Sequence, residues 1–159
     1  EEGKIPLRIT HNDTKFNNIL LDENDKALCV IDLDTVMPGY IHYDFGDAIR
    51  TVTNTASEDE KDLSKIKMDI HLFKAYSEGF LSETGGTLND VEKEYLAFAP
   101  GLITYTIAVR FLTDFIDGDN YFKTHHELHN LQRARAQLRL VMSMEEQCGE
   151  MKKIIGKLT

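Results

Sequence analysis

The sequence predicts a mainly helical α+β fold with a small β-hairpin near its start. Short apolar runs at residues 6–10, 19–21 and 28–31 are separated by polar, turn-forming residues, the pattern of short strands. From Asp44 onward apolar residues recur at helical spacing, as in Ile70, Phe73, Phe80 and Leu81. A chain of 159 residues, 42% hydrophobic, has the length of one domain and enough apolar material for a real core.

The elements follow in order. Residues 6–10 alternate as a strand, and residues 11–18 are a polar loop. Asp22-Glu23-Asn24-Asp25 is a turn between two strands, because Asp and Asn tolerate turn backbones. Residues 32–43 read as loop, marked by Pro38-Gly39. A helix is expected from near Asp44 towards Thr53, and the charge run at residues 57–65 is expected to be a solvated loop. The next helix stops at Gly85-Gly86, and Thr87 or Asn89 caps its successor, with Glu92 and Glu94 in the first turn. Pro100-Gly101 is expected to kink or break that helix. A long apolar helix from Leu102 to about Phe115 ends at Asp117-Gly118-Asp119-Asn120, and a final helix runs from about His125 towards Ile155. There is no internal repeat.

Composition excludes several functions. A net charge of -9 is the wrong sign for a nucleic-acid binder. No apolar run is long enough to span a membrane, and the opening residues are not expected to be a signal peptide. Cys29 and Cys148 lie far apart and read as free thiols of a reducing, cytoplasmic compartment. The chain opens Glu-Glu-Gly without Met, and is expected to be a piece of a longer protein.

Chemistry concentrates in the first forty-seven residues, where Asp13, Asp32, Asp34, Asp44 and Asp47 stand in apolar company. Any one of these aspartates can be a cap or a turn residue. Carboxylates brought together repel unless a cation lies between them. Oxygen ligands on loops at strand ends suit a hard cation such as Mg²⁺. His125, His126 and His129 do not meet the usual H-E-x-x-H zinc spacing and offer no third ligand, so they read as polar helix-start residues. No Cys/Ser-x-Pro-x-Arg motif is present to make a sulfatase nucleophile.

The run His11-Asn12-Asp13-Thr14-Lys15-Phe16-Asn17-Asn18 has the form His-x-Asp-x-x-x-x-Asn, which resembles the catalytic loop of the protein-kinase-like fold. The resemblance implies that Asp13 accepts the proton of the attacking hydroxyl, Asn18 binds Mg²⁺, and His11 holds the loop by hydrogen bonding. Lys15 is either a contact to the transferred phosphate or a plain surface lysine. In that fold about twenty residues and one hairpin separate the catalytic Asp from the metal-binding Asp. Asp32 fits that gap. The Asp44-Phe45-Gly46 tripeptide lies too far downstream to be the D-F-G metal motif, and Asp44 and Asp47 are expected to brace the catalytic loop from a helix start.

Ile31-Asp32-Leu33-Asp34 resembles the Ile-Asp-x-Asp/Glu signature of the aminoglycoside phosphotransferase and choline kinase superfamily. Asp34 is then a second metal ligand or a substrate contact. The segments Thr10–Asn18, Ile31–Gly39, Asp44–Arg50, Arg110–Asp114 and Gly118–Phe122 look most similar to N-acetylhexosamine 1-kinase-like proteins. This implies the C-terminal lobe of a protein-kinase-like fold, with residues 1–47 as catalytic and metal-binding segment and residues 48–159 as a helical acceptor-binding subdomain. It implies transfer of the ATP γ-phosphate, with Mg²⁺, to the anomeric hydroxyl of an N-acetylhexosamine, and makes Arg110 and Tyr121 sugar contacts. The competing structural roles are an Arg110–Asp114 pair and a core position for Tyr121. No G-x-G-x-x-G loop and no strand Lys paired to a helix Glu is present. The partners are therefore Mg-ATP, a small-molecule acceptor and a missing N-terminal lobe, and the chain alone is expected to be inactive. A choline-type or aminoglycoside acceptor, or a non-catalytic pseudokinase-like module, are the alternatives.

Overall fold

The computed structural model describes residues 3–159. Four short strands precede five helices: β1 (Arg8–Thr10), β2 (Ile19–Leu21), β3 (Ala27–Val30), β4 (Met37–Gly39), α1 (Ile41–Val52), α2 (Ile70–Thr84), α3 (Asp90–Tyr95), α4 (Ala99–Ile116) and α5 (His129–Leu158). The β2–β3 hairpin lies where the apolar runs place it, with Ile19 opposite Val30. Its turn is held by Asp22, whose Oδ1 accepts the N–H groups of Asn24 and Lys26 at 2.8 and 2.9 Å.

One strand escapes the sequence pattern. Residues 37–39, expected to be loop, form β4 and pair antiparallel with β1. Pro38 is tolerated because the ladder has only two strands, so its missing N–H leaves no neighbour unsatisfied. Gly39 is required there, because a Cβ at that position would collide with the Thr10 hydroxyl and approach Asn12 Oδ1 to 2.9 Å.

The helices pack around one apolar core that includes Phe45, Ile49, Phe73, Leu96, Leu140, Met144 and Met151. Phe45 is fully buried and meets Phe73, Tyr76 and Phe80 with ring centroids 6.2, 5.8 and 5.0 Å away. Its neighbour Gly46 lies against α4, where a Cβ would come within 2.8 Å of the Ala99 carbonyl and 2.7 Å of Ile103 Cγ1. The Asp-Phe-Gly tripeptide is thus interior to α1 and serves helix packing.

Pro100 starts α4 instead of breaking a helix. It sits in the first turn, where its missing N–H has no intrahelical partner to lose. The chain breaks earlier, between α3 and α4, and α3 opens with a capping box in which Asn89 and Glu92 exchange bonds. The buried Glu92 also receives Arg8 through two nitrogens at 2.6 and 2.7 Å, tying β1 to α3.

The charge run at residues 57–65 is bound as well as solvated. Glu58 pairs with Arg50 at 2.9 Å and lies 3.9 Å from Arg133, and Asp59 lies 3.3 Å from His129 Nε2. The final helix begins at His129, later than expected, because residues 125–128 turn to bring the His125 N–H to His129 Nδ1 at 3.2 Å. Among the described residues no helix is long and apolar enough to cross a membrane.

Burial, with the nearby Arg133 charge, holds the His129 imidazole below its usual range, against the opposing pull of Asp59. A depressed histidine pKa means that the unfolded chain takes up a proton which the folded one refuses. Stability therefore declines as pH falls through about 6.5. The Asp59 carboxylate, held low first by Ser57 and also by His129, withdraws its contribution only at more acid pH. Melting temperatures followed from pH about 7.5 to 5 should drop less steeply in His129→Gln than in the parent chain. Parallel slopes would show that the imidazole is not the titrating group.

Candidate active site

The loop between β1 and β2 is fixed by its own side chains and by α1. Asn12 adopts a left-handed backbone (φ 63°), a conformation Asn tolerates better than most residues. Its side-chain amide donates to the Thr35 carbonyl at 3.0 Å, and the Thr35 hydroxyl donates back to the His11 carbonyl at 2.6 Å. The Asp44 carboxylate receives the two successive backbone N–H groups of His11 and Asn12 at 2.9 and 2.7 Å. The Thr14 hydroxyl donates to the Asp44 carbonyl at 2.6 Å.

His11 spans the loop and the end of the hairpin. Its Nδ1 accepts the Asp13 N–H at 3.3 Å, and its Nε2 lies 3.0 Å from the Ile31 carbonyl. A neutral imidazole with its proton on Nε2 satisfies both contacts. The ring therefore links the residue before Asp32 to Asp13.

Asp13 Oδ2 receives Lys15 Nζ at 2.7 Å and Asn18 Nδ2 at 2.9 Å. Oδ1 has no partner among the described residues. Burial alone would raise this carboxyl, but the bonds from Lys15 and Asn18 outweigh it and hold the group below the usual carboxylate range. Asp13 is thus ionised at neutral pH with one oxygen committed and one available. Lys15 also lies 3.9 Å from Asp32 Oδ2, so it bridges the two acids.

Asp32 takes a left-handed backbone (φ 64°) that turns the chain into a helical turn at Leu33–Thr35. The neighbouring Asp34 side chain pushes the Asp32 carboxyl above its usual range; desolvation adds to this and Lys15 opposes it. Two exposed carboxylates crowded in this way are relieved by a proton or by a cation. Among the described residues no three His, Cys, Asp or Glu side chains converge into a complete metal shell. Asp32, Asp34 and the amide oxygen of Asn18 are the available oxygen donors. Such a partial set fits Mg²⁺, which keeps several waters and shares phosphate ligands.

A pocket of about 440 Å³ opens beside the loop, lined by Asn12, Asp13, Tyr43, Asp47, Arg50, Thr106 and Arg110 among others. Hollows of about 550 and 690 Å³ lie around Tyr95 and Phe98, but none of residues 11–18 or 32–34 lines them. Chemistry that uses Asp13 belongs to the smaller pocket.

The other expected residues divide. Arg110 lines this pocket and lies 5.5 and 5.3 Å from the ring centroids of Tyr121 and Phe122. Asp114 does not pair with it. Its carboxylate instead accepts the N–H groups of Tyr121 and Phe122 and the amide of Asn130, fixing the turn after α4. Tyr121 is no core residue, at 74% exposed, and does not line the pocket. Asp44 touches the loop directly, whereas the Asp47 carboxylate faces Arg50, at 2.8 Å, and reaches the loop through no side-chain bond. Asn12, Thr35 and Arg50 stand inside the segments that carry the resemblance but were given no role of their own, and Gln137 had no distinguishing pattern in the sequence. The pairing of β4 with β1 and the His11–Ile31 contact both hold the segment around Thr35 against the loop.

Asp44→Ala should destabilise the fold by about 2–4 kcal/mol in urea unfolding, since two backbone donors lose a charged acceptor. The His11 and Asn12 amides should exchange with solvent measurably faster. Unchanged exchange at those two amides would contradict the bracing role.

Residues 3–69, the span that holds His11–Asn18, Asp32, Asp34, Asp44 and Asp47, match the family model described as phosphotransferase enzyme family (APH), which supports a kinase-type phosphotransferase of small molecules, a class that generally uses ATP and Mg²⁺.

Proposed function

We propose that the chain carries the catalytic and acceptor-binding part of an ATP-dependent kinase that phosphorylates a sugar hydroxyl, specifically the anomeric hydroxyl of an N-acetylhexosamine. The observation that carries this reading is Asp13, held ionised through Oδ2 with Oδ1 free, at the edge of a pocket lined by polar and aliphatic side chains. The acceptor hydroxyl gives its proton to Asp13 Oδ1 as its oxygen forms a bond to the γ-phosphorus. The bond from that phosphorus to the bridging oxygen breaks, and ADP leaves with the electron pair. Lys15 carries positive charge towards the transferred group while keeping Asp13 oriented. Asp32, Asp34 and Asn18 would hold Mg²⁺, which when bound neutralises phosphate charge.

The lining favours a neutral acceptor. Arg50 and Arg110 offset Asp13 and Asp47, so the pocket lacks the excess negative charge that would select a polycationic aminoglycoside. Tyr43 is the only aromatic residue in that lining, which falls short of a cage for a quaternary ammonium.

A companion N-terminal lobe belongs to this reading. Leu7, Ile9, Leu28, Val30, Leu33 and Met37 are all at least half exposed on and beside the two strand ladders. These exposed apolar side chains lie within the same segment as Asp32, and a second lobe that holds the nucleotide would cover them. Residues 1–159 alone should therefore show no turnover above background, and robust turnover would remove the need for that lobe.

The reading is tested with the full-length gene product, Mg-ATP and a panel of acceptors: N-acetylglucosamine, N-acetylgalactosamine, plain hexoses, choline and an aminoglycoside. Phosphorus NMR should show a sugar 1-phosphate with the parent protein and none with Asp13→Ala. Product on choline or the aminoglycoside alone would replace the sugar reading. Absence of product with every acceptor, in folded protein that binds Mg-ATP, would point to a non-catalytic module.

A further inference from the structure

The face of α1 that lines the pocket carries Tyr43, Asp47 and Arg50, one and two helical turns apart. Asp47 is 93% buried, being 7% exposed, and its two carboxylate oxygens are treated unequally. Arg50 gives both Nε and Nη2 to Oδ1, at 2.9 and 2.8 Å. Its remaining nitrogen, Nη1, is drawn away by Glu58 at 2.9 Å and Gln137 at 3.4 Å. Oδ2 is left buried with no hydrogen-bond donor.

A guanidinium that serves only to neutralise a carboxylate commonly grips both oxygens side by side. Here Glu58 and Gln137 turn Arg50 so that one oxygen takes two donors and the other takes none. A buried, unsatisfied carboxylate oxygen is costly and calls for a partner. Asp47 lines the same pocket as Asp13 with Oδ2 itself covered, so a molecule bound there supplies the partner by parting the side chains over that oxygen.

We propose that Asp47 Oδ2 is a specificity contact for the acceptor, taking a hydrogen bond from a hydroxyl or amide N–H other than the group that is phosphorylated. Arg50 already balances the charge of Asp47, so the contact selects a neutral donor and not an ammonium group. Arg110, on the facing helix α4, and Thr106, one turn before it, supply donors for the oxygens of the same molecule. The inference rests on the kinase reading above but not on the identity of the sugar.

Asp47→Asn in the full-length gene product tests it. Arg50 will hold the amide carbonyl in place of Oδ1, which puts an NH₂ where Oδ2 stood and turns an acceptor into a donor. The expected result is a rise in acceptor KM of about tenfold or more, with the KM for ATP unchanged. A series of monodeoxy acceptors should contain one that loses a similar factor with the parent protein and nothing further with Asp47→Asn. Should that variant fold poorly, combining it with Arg50→Gln removes both charges together, and the same comparison applies. If the variant lowers only the melting temperature, or shifts both KM values alike, Asp47 is structural and the inference fails while the kinase reading stands. If a different acceptor proves to be the substrate and its KM responds selectively, the sugar assignment fails and the inference stands. No phosphorylation of any acceptor by the parent protein overturns both.

Discussion

The Asp44 carboxylate fixes the rest of the site. It accepts two consecutive backbone N–H groups, those of His11 and Asn12, and so sets the path of the chain one residue before Asp13. Asp44 cannot drift, because Phe45 beside it is fully buried in the aromatic cluster and Gly46 is pressed against α4. Three adjacent residues thus join the loop that carries Asp13, the core and the helix that forms the far wall of the pocket. Bulk packing, which is strong but not directional, is converted here into the position of one carboxylate.

The charges divide into two groups with opposite logic. Asp13, Lys15, Asp32 and Asp34 are partly exposed, and water moderates their mutual repulsion. Among them the short bonds to Asp13 outweigh its desolvation and keep it ionised. Asp47, Arg50, Glu58 and Gln137 form a chain of contacts in which Asp47, Arg50 and Gln137 are buried and Glu58 reaches in from the surface. Burial pulls the Arg50 guanidinium downward, but the surrounding carboxylates more than compensate and keep it charged. Removing a partner there strands a charge, so that group depends on its members together far more than the exposed one does.

The loop that carries Asp13 and the hairpin before Asp32 were legible because polar, turn-forming residues punctuate short apolar runs there, and both fall inside the span that matches the phosphotransferase family model. The interval from His11 to Asn18 and the hairpin before Asp32 could be read directly. Helix positions were also readable where apolar periodicity was long, as in α2 and α4. What stayed hidden was set by long-range contacts. β4 carries Pro38 and Gly39, both poor strand formers, and exists because β1 pairs with it. The segment from Asn54 to Met68 has no periodicity, since it is held by side-chain bonds such as Met68 N–H to the Ser143 hydroxyl at 3.1 Å. Charged residues at 57–65 read as solvated because nothing local reveals that Arg50, His129 and Arg133 wait for them.

Helix α1 does two jobs with two faces. Asp44 points to the loop that carries Asp13, while Tyr43, Asp47 and Arg50 line the pocket in front of it. A molecule that satisfied Asp47 would press on the same rigid helix that positions Asp13. Under the proposed function, binding in the pocket and the placement of the Asp13 carboxylate are linked across one helical turn. The connection needs no large movement. Gly46 lets α1 and α4 approach closely, so the two walls of the pocket are parts of one packed unit, and a change in pocket shape would have to be absorbed by the loop or by the bound molecule.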